Sequence, residues 1–170
     1  TNPYTNEVVG TVPKMGLDQV KKAIDFMYDY EPELTAYERS EILRASAAEI
    51  KSRTDELAYG ISLESGMSIQ DSTKEVGRGV GLILTAAEEA KRIMGEQLPS
   101  DVDASGADKL ILALRHPVGL VSAIVPFNRP MNQVVVKVAP SFAAGNKTIV
   151  KPTERTPMSA IRFVEILLNN

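Results

Sequence analysis

The residues of this chain that could do chemistry fall in two short polar clusters, each directly after an apolar run. The first is Pro126-Phe127-Asn128-Arg129-Pro130, which cuts off the run 121–125. Its two prolines fix φ on either side and hold the turn rigid, so the Asn128 amide is held in place. A plain turn asparagine accounts for the same residue type. The second cluster is Lys151-Pro152-Thr153-Glu154, after the run 148–150. By residue type alone, Lys151 and Glu154 make either an ordinary surface ion pair or a ligand-facing pair. Between the clusters lie an apolar segment, 131–144, and a Gly145-Asn146 stop. That order predicts strand, helix, strand, helix, in an α/β fold with a parallel sheet. Both clusters then stand at the carboxyl ends of strands, where open α/β sheets bind ligands.

Two guanidiniums stand apart from these clusters or at their rim. Arg78 lies in a helical pattern and Arg129 follows Asn128. A guanidinium fork suits phosphate, phosphonate or carboxylate because it donates two parallel hydrogen bonds. Arg78 reads equally as a solvated helix residue, and Arg129 as a residue pointing to solvent or to a subunit interface. Gly77-Arg78-Gly79-Val80-Gly81 looks superficially like a phosphate cradle, but it lies inside a helical pattern rather than after a strand. Close helix packing is the better account of those glycines. His116, the single histidine, sits at a bend beside Arg115 and reads as a surface or interface residue.

The elements that position these groups can be read in chain order. Residues 7–12 alternate between two prolines and predict an edge strand or extended arm. Val20, Ala23, Ile24 and Met27 recur at helical spacing and predict an amphipathic surface helix from Leu17 to about Tyr28. Thr35 with Glu38 forms a capping box opening a second helix, to about Arg53. Thr54, Asp55 and Glu56 start a third, closed by Gly66. A long fourth helix runs from Ser68 to about Met94, with Val76, Val80, Ile83, Leu84 and Ala87 as its buried stripe. After a polar loop, 101–108, the segments 109–115 and 119–125 bracket Pro117 and predict a ribbon of two strands leading into the sheet.

Composition bounds the function. With 170 residues, 19 basic and 22 acidic side chains and a net charge of −3, the chain has no electrostatic footprint for nucleic acid. It has no cysteine, which excludes disulfides and thiolate metal sites within it and fits a reducing, cytoplasmic setting. No apolar run of about 18 residues appears, so neither membrane spanning nor export is expected. No metal site is expected either.

The blocks PFNRPMNQ, KVAPSFAAGN and IVKPTERTPMSA, in that order, resemble the aldehyde dehydrogenase superfamily, whose pattern is a Pro-aromatic-Asn turn, an APALAAGN-like helix end and a KPSE-like strand end. With the NP-x-T-x-E-V-x-G opening, the similarity extends over almost the whole chain. The PFN-x-P-x-N turn is closest to the branch that includes non-phosphorylating glyceraldehyde-3-phosphate dehydrogenase and phosphonoacetaldehyde dehydrogenase. The family's subunit is far longer, so the resemblance implies an amino-terminal portion, with the catalytic cysteine, the general-base glutamate and the pyrophosphate-binding helix start downstream.

The resemblance implies the family's nucleotide-binding, Rossmann-like α/β domain plus an oligomerisation ribbon. The expected division is an arm and helical part over 1–104, the ribbon over 105–118 and the first βαβα unit over 119–170. It implies thiolate attack on an aldehyde, hydride transfer to NAD and hydrolysis of the thioester. Asn128 is then half of an oxyanion hole. Val125, Pro126 and Phe127 line the nicotinamide side, and Lys151, Pro152, Thr153 and Glu154 form the adenosine-ribose loop. Glu154 accepts from both ribose hydroxyls and repels a 2′-phosphate, so NAD is expected over NADP. Glu75-Val76-Gly77-Arg78 matches the branch's E-V-x-R segment, which assigns Arg78 to a substrate anion; Arg129 departs from the family's usual aromatic or histidine and would also attract one. A small aldehyde, anionic where the two arginines bind it, and a homo-oligomer, dimer or tetramer, are the implied partners. The rival readings are a superfamily member reducing an acyl phosphate or acyl-CoA, and a non-catalytic domain.

Overall fold

The computed structural model describes residues 1–31 and 33–170. Four helices come first: α1 Leu17–Asp29, α2 Ala36–Ser52, α3 Thr54–Ser65 and α4 Ile69–Ala90. Three strands follow, β1 Glu96–Leu98, β2 Ile111–Ala113 and β3 Leu120–Ile124, then α5 Asn132–Ala143, β4 Lys147–Lys151 and α6 Pro157–Asn169. The predicted strand, helix, strand, helix order is therefore β3, α5, β4, α6. β3 and β4 pair in parallel, with Leu120 opposite Lys147 and Ile124 opposite Lys151.

The local signals hold where they are strongest. Thr35 caps α2 through the Glu38 N–H at 3.2 Å, and Glu38 accepts from the Thr35 N–H at 2.8 Å. Gly66 ends α3 at φ 74°, a left-handed conformation that glycine adopts without a Cβ penalty. α4 is the central helix of the core, packed on α2, α3 and α5. Leu43 and Ile50 from α2, Ile61 from α3, Val76 and Ile83 from α4, and Val134 from α5 are fully buried or nearly so.

Several expectations are corrected. Segment 109–115 does not pair with 119–125. Instead β2 pairs antiparallel with β1, Glu96 opposite Ala113, and β3 turns to β4. Gly119, at φ 106°, is in a conformation open to glycine, just after Pro117, and the chain changes course there. Residues 7–12 form an extended arm without ladder partners among the described residues, so the strand alternative falls. Pro3 and Tyr4, just before it, lie against Gly66, and Gly10 lies against Met158 at the head of α6. α4 stops at Ala90 rather than Met94, because the Lys91 N–H bonds back to Glu88 and Glu89 in a tightened last turn. Leu84 stays 39% exposed; Gly79 and Ala86 complete the buried stripe instead. Helix packing explains one of the three glycines: a Cβ on Gly79 would sit 3.2 Å from Asn132 Oδ1, whereas Gly77 and Gly81 face open space.

Candidate functional site

The site is built at one end of the β3–β4 pair. Because the strands are parallel and Ile124 lies opposite Lys151, the loops 125–131 and 152–156 leave the sheet side by side. The Val125 N–H donates to Lys151 O at 3.1 Å, extending the ladder by one bond. Val125 is 5% exposed and anchors the first loop in the core. Beyond it, Arg155 stacks on Phe127, its guanidinium carbon 4.8 Å from the ring centroid, and so ties the tip of one loop to the other.

The predicted site residues of both loops are thus brought together. Pro126, Phe127 and Asn128 are exposed, while Pro130 and Met131 are buried and fix the far side of the turn. Among the described residues the Asn128 side chain makes no hydrogen bond. Lys151 is exposed, and among the described residues its Nζ donates only to Pro152 O, at 3.3 Å. The Arg155 N–H donates to Thr153 Oγ1 at 3.4 Å, which shapes the second loop. Glu154 is exposed, and among the described residues neither it nor Lys151 forms an ion pair. The ion-pair reading of those two residues is therefore not the one the fold adopts.

The arginines lie apart from each other in role. Arg78 is exposed on α4. Arg129 turns toward α4: its Nη1 is 3.9 Å from Glu75 Oε2 and 3.7 Å from Met67 Sδ. Glu75 is the first of three residues whose roles sequence reasoning missed. Its Oε1 accepts from the N–H groups of Met131 and Asn132, at 2.9 and 3.1 Å, so it caps α5 from 56 residues away. Burial pushes the Glu75 carboxyl above the usual range; the two N–H donors and the charges of Arg129 and Arg78 pull it down. Glu64 does the same for α6, accepting from Met158 N and Ser159 N, both at 2.9 Å, and from the Ser159 hydroxyl. Arg155 is the third missed residue; its position beside a charged cluster gave no signal of a stacking role.

Elsewhere the features are plain. His116 is exposed. Arg115 pairs with Glu96 at 3.3 Å across the β1–β2 ribbon. Among the described residues no cluster of His, Cys, Asp or Glu is arranged to hold a metal, and no helix is long and apolar enough to cross a membrane.

The chain matches the model of the aldehyde dehydrogenase family over residues 1–169. It is 36% identical over 167 residues to the 3-sulfolactaldehyde dehydrogenase of Priestia aryabhattai, covering 98% of this chain and 35% of that protein. It superposes with a TM-score of 0.94 on aldehyde dehydrogenase 21 from Physcomitrella patens in complex with the reaction product succinate, at 39% identity, over 98% of this chain and 35% of that one. Glyceraldehyde-3-phosphate dehydrogenase GapN from Methanocaldococcus jannaschii, complexed with NADP, gives a TM-score of 0.92 at 35% identity, over 99% of this chain and 36% of that one. The chain spans about 35% of the length of the relatives it matches. With its sequence matched from end to end but one residue and its fold superposed over nearly as much, this chain belongs to the aldehyde dehydrogenase family.

Proposed function

We propose that this chain is the cofactor-side portion of an NAD-dependent aldehyde dehydrogenase that oxidises a small anionic aldehyde to a carboxylate, with the cysteine nucleophile supplied by sequence outside these residues. The observation that carries this is the side-by-side exit of the two loops, with exposed polar groups that the fold itself does not consume. Lys151 and Glu154 suit a ribose, one donating and one accepting, and both are free to do so. NAD, when bound, accepts the hydride from the substrate carbon. Asn128 offers a neutral donor to an oxygen that gains negative charge, and a neutral amide does this without competing for a proton.

Glu154 favours NAD over NADP because an exposed carboxylate at the ribose repels a 2′-phosphate. Arg78, with no ion-pair partner among the described residues, is the group assigned to the substrate's anion; Arg129 shares its charge with Glu75 and is secondary. The names of several relatives support an anionic substrate, since 3-sulfolactaldehyde, succinate-semialdehyde and glutarate-semialdehyde dehydrogenases denote aldehydes with a second, acidic group, whereas the lactaldehyde dehydrogenases denote a neutral one. The two-stranded β3–β4 pair also fits a sheet continued by further strands, since parallel sheets are normally larger and covered on both faces. The divisions 1–104, 105–118 and 119–170, and a homo-oligomer built through the exposed β1–β2 ribbon, belong to the same reading, as does a cytoplasmic setting.

The test is cofactor choice in the full-length enzyme. Glu154→Ser should raise kcat/KM with NADP relative to NAD by about tenfold, one lost charge repulsion of roughly 1.4 kcal/mol. An unchanged NAD to NADP ratio would remove Glu154 from the ribose.

A further inference from the structure

Two buried carboxyls hold the two loops from behind, one loop each. Glu75 is 1% exposed and Glu64 is 5% exposed. A charged group at that depth is costly unless hydrogen-bonded, and each of these accepts from the start of a helix, Glu64 through both oxygens and Glu75 through Oε1 alone, its Oε2 being buried without a hydrogen-bond partner among the described residues. Neither helix caps itself: Met131 before α5 and Thr156 before α6 make no side-chain capping bond. Pro157 opens α6 and has no N–H, so the first donors there are Met158 and Ser159, and Glu64 takes both. Glu75 takes the N–H groups of Met131, just before α5, and Asn132, its first residue, and faces Arg129 with its other oxygen. The Asn128 turn therefore ends, three residues on, in the grip of Glu75. The Lys151–Glu154 loop ends, four residues on, in the grip of Glu64.

We propose that Glu75 and Glu64 are separate positioning residues, Glu75 setting the Asn128 amide against the reacting carbonyl and Glu64 setting Lys151 and Glu154 against the cofactor ribose. This rests on the function proposed above. The separation follows from the contacts. Among the described residues Glu75 bonds or faces residues 129, 131 and 132 and makes no hydrogen bond to the second loop, and Glu64 bonds residues 158 and 159 and makes none to the first, although the loop tips meet where Arg155 stacks on Phe127. A donor displaced by a fraction of an ångström loses rate before it loses cofactor binding, because it acts only on developing charge. A displaced ribose clamp loses cofactor binding first.

The experiment replaces each glutamate by Met and by Gln in the full-length enzyme, with Asn128→Ala measured alongside. Glu75→Met should lower kcat at saturating NAD by about tenfold and leave the KM for NAD within about twofold. Glu64→Met should do the reverse, raising the KM for NAD about tenfold with kcat within about twofold. At Glu75 one oxygen takes both N–H groups, so Gln should restore most of the loss; at Glu64 each oxygen takes a different N–H, so Gln should restore only part of it. Amide exchange should quicken at Met131 and Asn132 only in the Glu75 variant, and at Met158 and Ser159 only in the Glu64 variant. Losses of kcat and KM in equal proportion in both, or exchange that quickens at both helix starts together, would overturn the proposal. If the Met variants do not fold, whatever loss the Gln variants retain must split in the same sense, and parallel losses there, or none in either, overturn it as well. An enzyme indifferent to Asn128→Ala sinks the catalytic reading itself; one sensitive to Asn128→Ala but indifferent to Glu75→Met sinks only the positioning role.

Discussion

Asn128→Ala separates the two accounts of the Pro126–Pro130 turn by an amount the structure allows one to work out. The side chain is exposed and makes no hydrogen bond among the described residues, and the turn is held independently by the buried Val125, Pro130 and Met131. Its loss should therefore change stability by no more than about 0.5 kcal/mol, as for other surface positions. If the amide donates to the oxygen of an aldehyde under attack, its loss costs about 3 kcal/mol in the transition state. At 1.36 kcal/mol per decade that is a fall of about 160-fold in kcat. NAD affinity should stay level, because the Lys151–Glu154 loop is anchored through Val125 N–H and Glu64 and not through Asn128. The assay is NADH absorbance at saturating cofactor and aldehyde in the full-length enzyme, with a thermal melt and an NAD titration on the same preparation. A kcat within about threefold of the parent, well short of that loss, would leave Asn128 as a turn residue only. Equal losses of rate and NAD affinity would mean that the turn collapsed, and would refute the independence argued here.

Other perturbations test other parts of the molecule. Arg78→Ala should raise KM about tenfold for carboxylated or sulfonated aldehydes and leave neutral ones unchanged, since a charge-assisted hydrogen bond is worth about 1.5–3 kcal/mol when well made; equal effects on both classes would return Arg78 to solvent. Ile83→Ala, at a fully buried position on α4, should lower unfolding stability by about 2–5 kcal/mol without changing the urea m-value. Burial raises the Glu75 carboxyl, so the native protein keeps that proton to higher pH than the unfolded chain. Stability should then fall as pH climbs from the ordinary glutamate range through the raised native value and level off above it. Glu75→Gln should lack that decline, and parallel urea midpoints for the two proteins across the acid to neutral range would count against it.

The parts of the fold legible in the sequence are those fixed by neighbours in the chain. The β3, α5, β4, α6 order follows from apolar runs broken by Pro126 and by Gly145, and α2 follows from Thr35 and Glu38, three residues apart. β1 was not legible: Glu96–Leu98 is three exposed residues with no strand pattern, made a strand only by pairing with β2. Adjacency in sequence pointed to the wrong partner for 109–115 because the parallel register of β3 with β4 is a long-range choice. The two glutamates are hidden for the same reason. A glutamate in a helix reads as solvated, and nothing local marks Glu64 or Glu75 as reaching 94 or 56 residues ahead. Thr156-Pro157 even carries a false local signal, a threonine placed to cap α6, whose Oγ1 is instead buried without a hydrogen-bond partner among the described residues.

Those two caps bear on how the site binds at all. In doubly wound folds the helix start after a strand offers free N–H groups and a positive dipole end to a phosphate. Here both helix starts are already filled by a carboxyl from within the protein, so a phosphate brought to either would meet a buried acid where it needs donors. Recognition at this end of the sheet then falls to side chains that the fold leaves unused, Asn128 in one loop and Lys151 and Glu154 in the other. Under the proposed function the sugar and the carbonyl are held here by hydrogen bonds from single side chains, while the cofactor's phosphates lie off α5 and α6. A site made this way is separable by point substitution, one group governing rate and another cofactor choice, as a site built on shared backbone donors would not be.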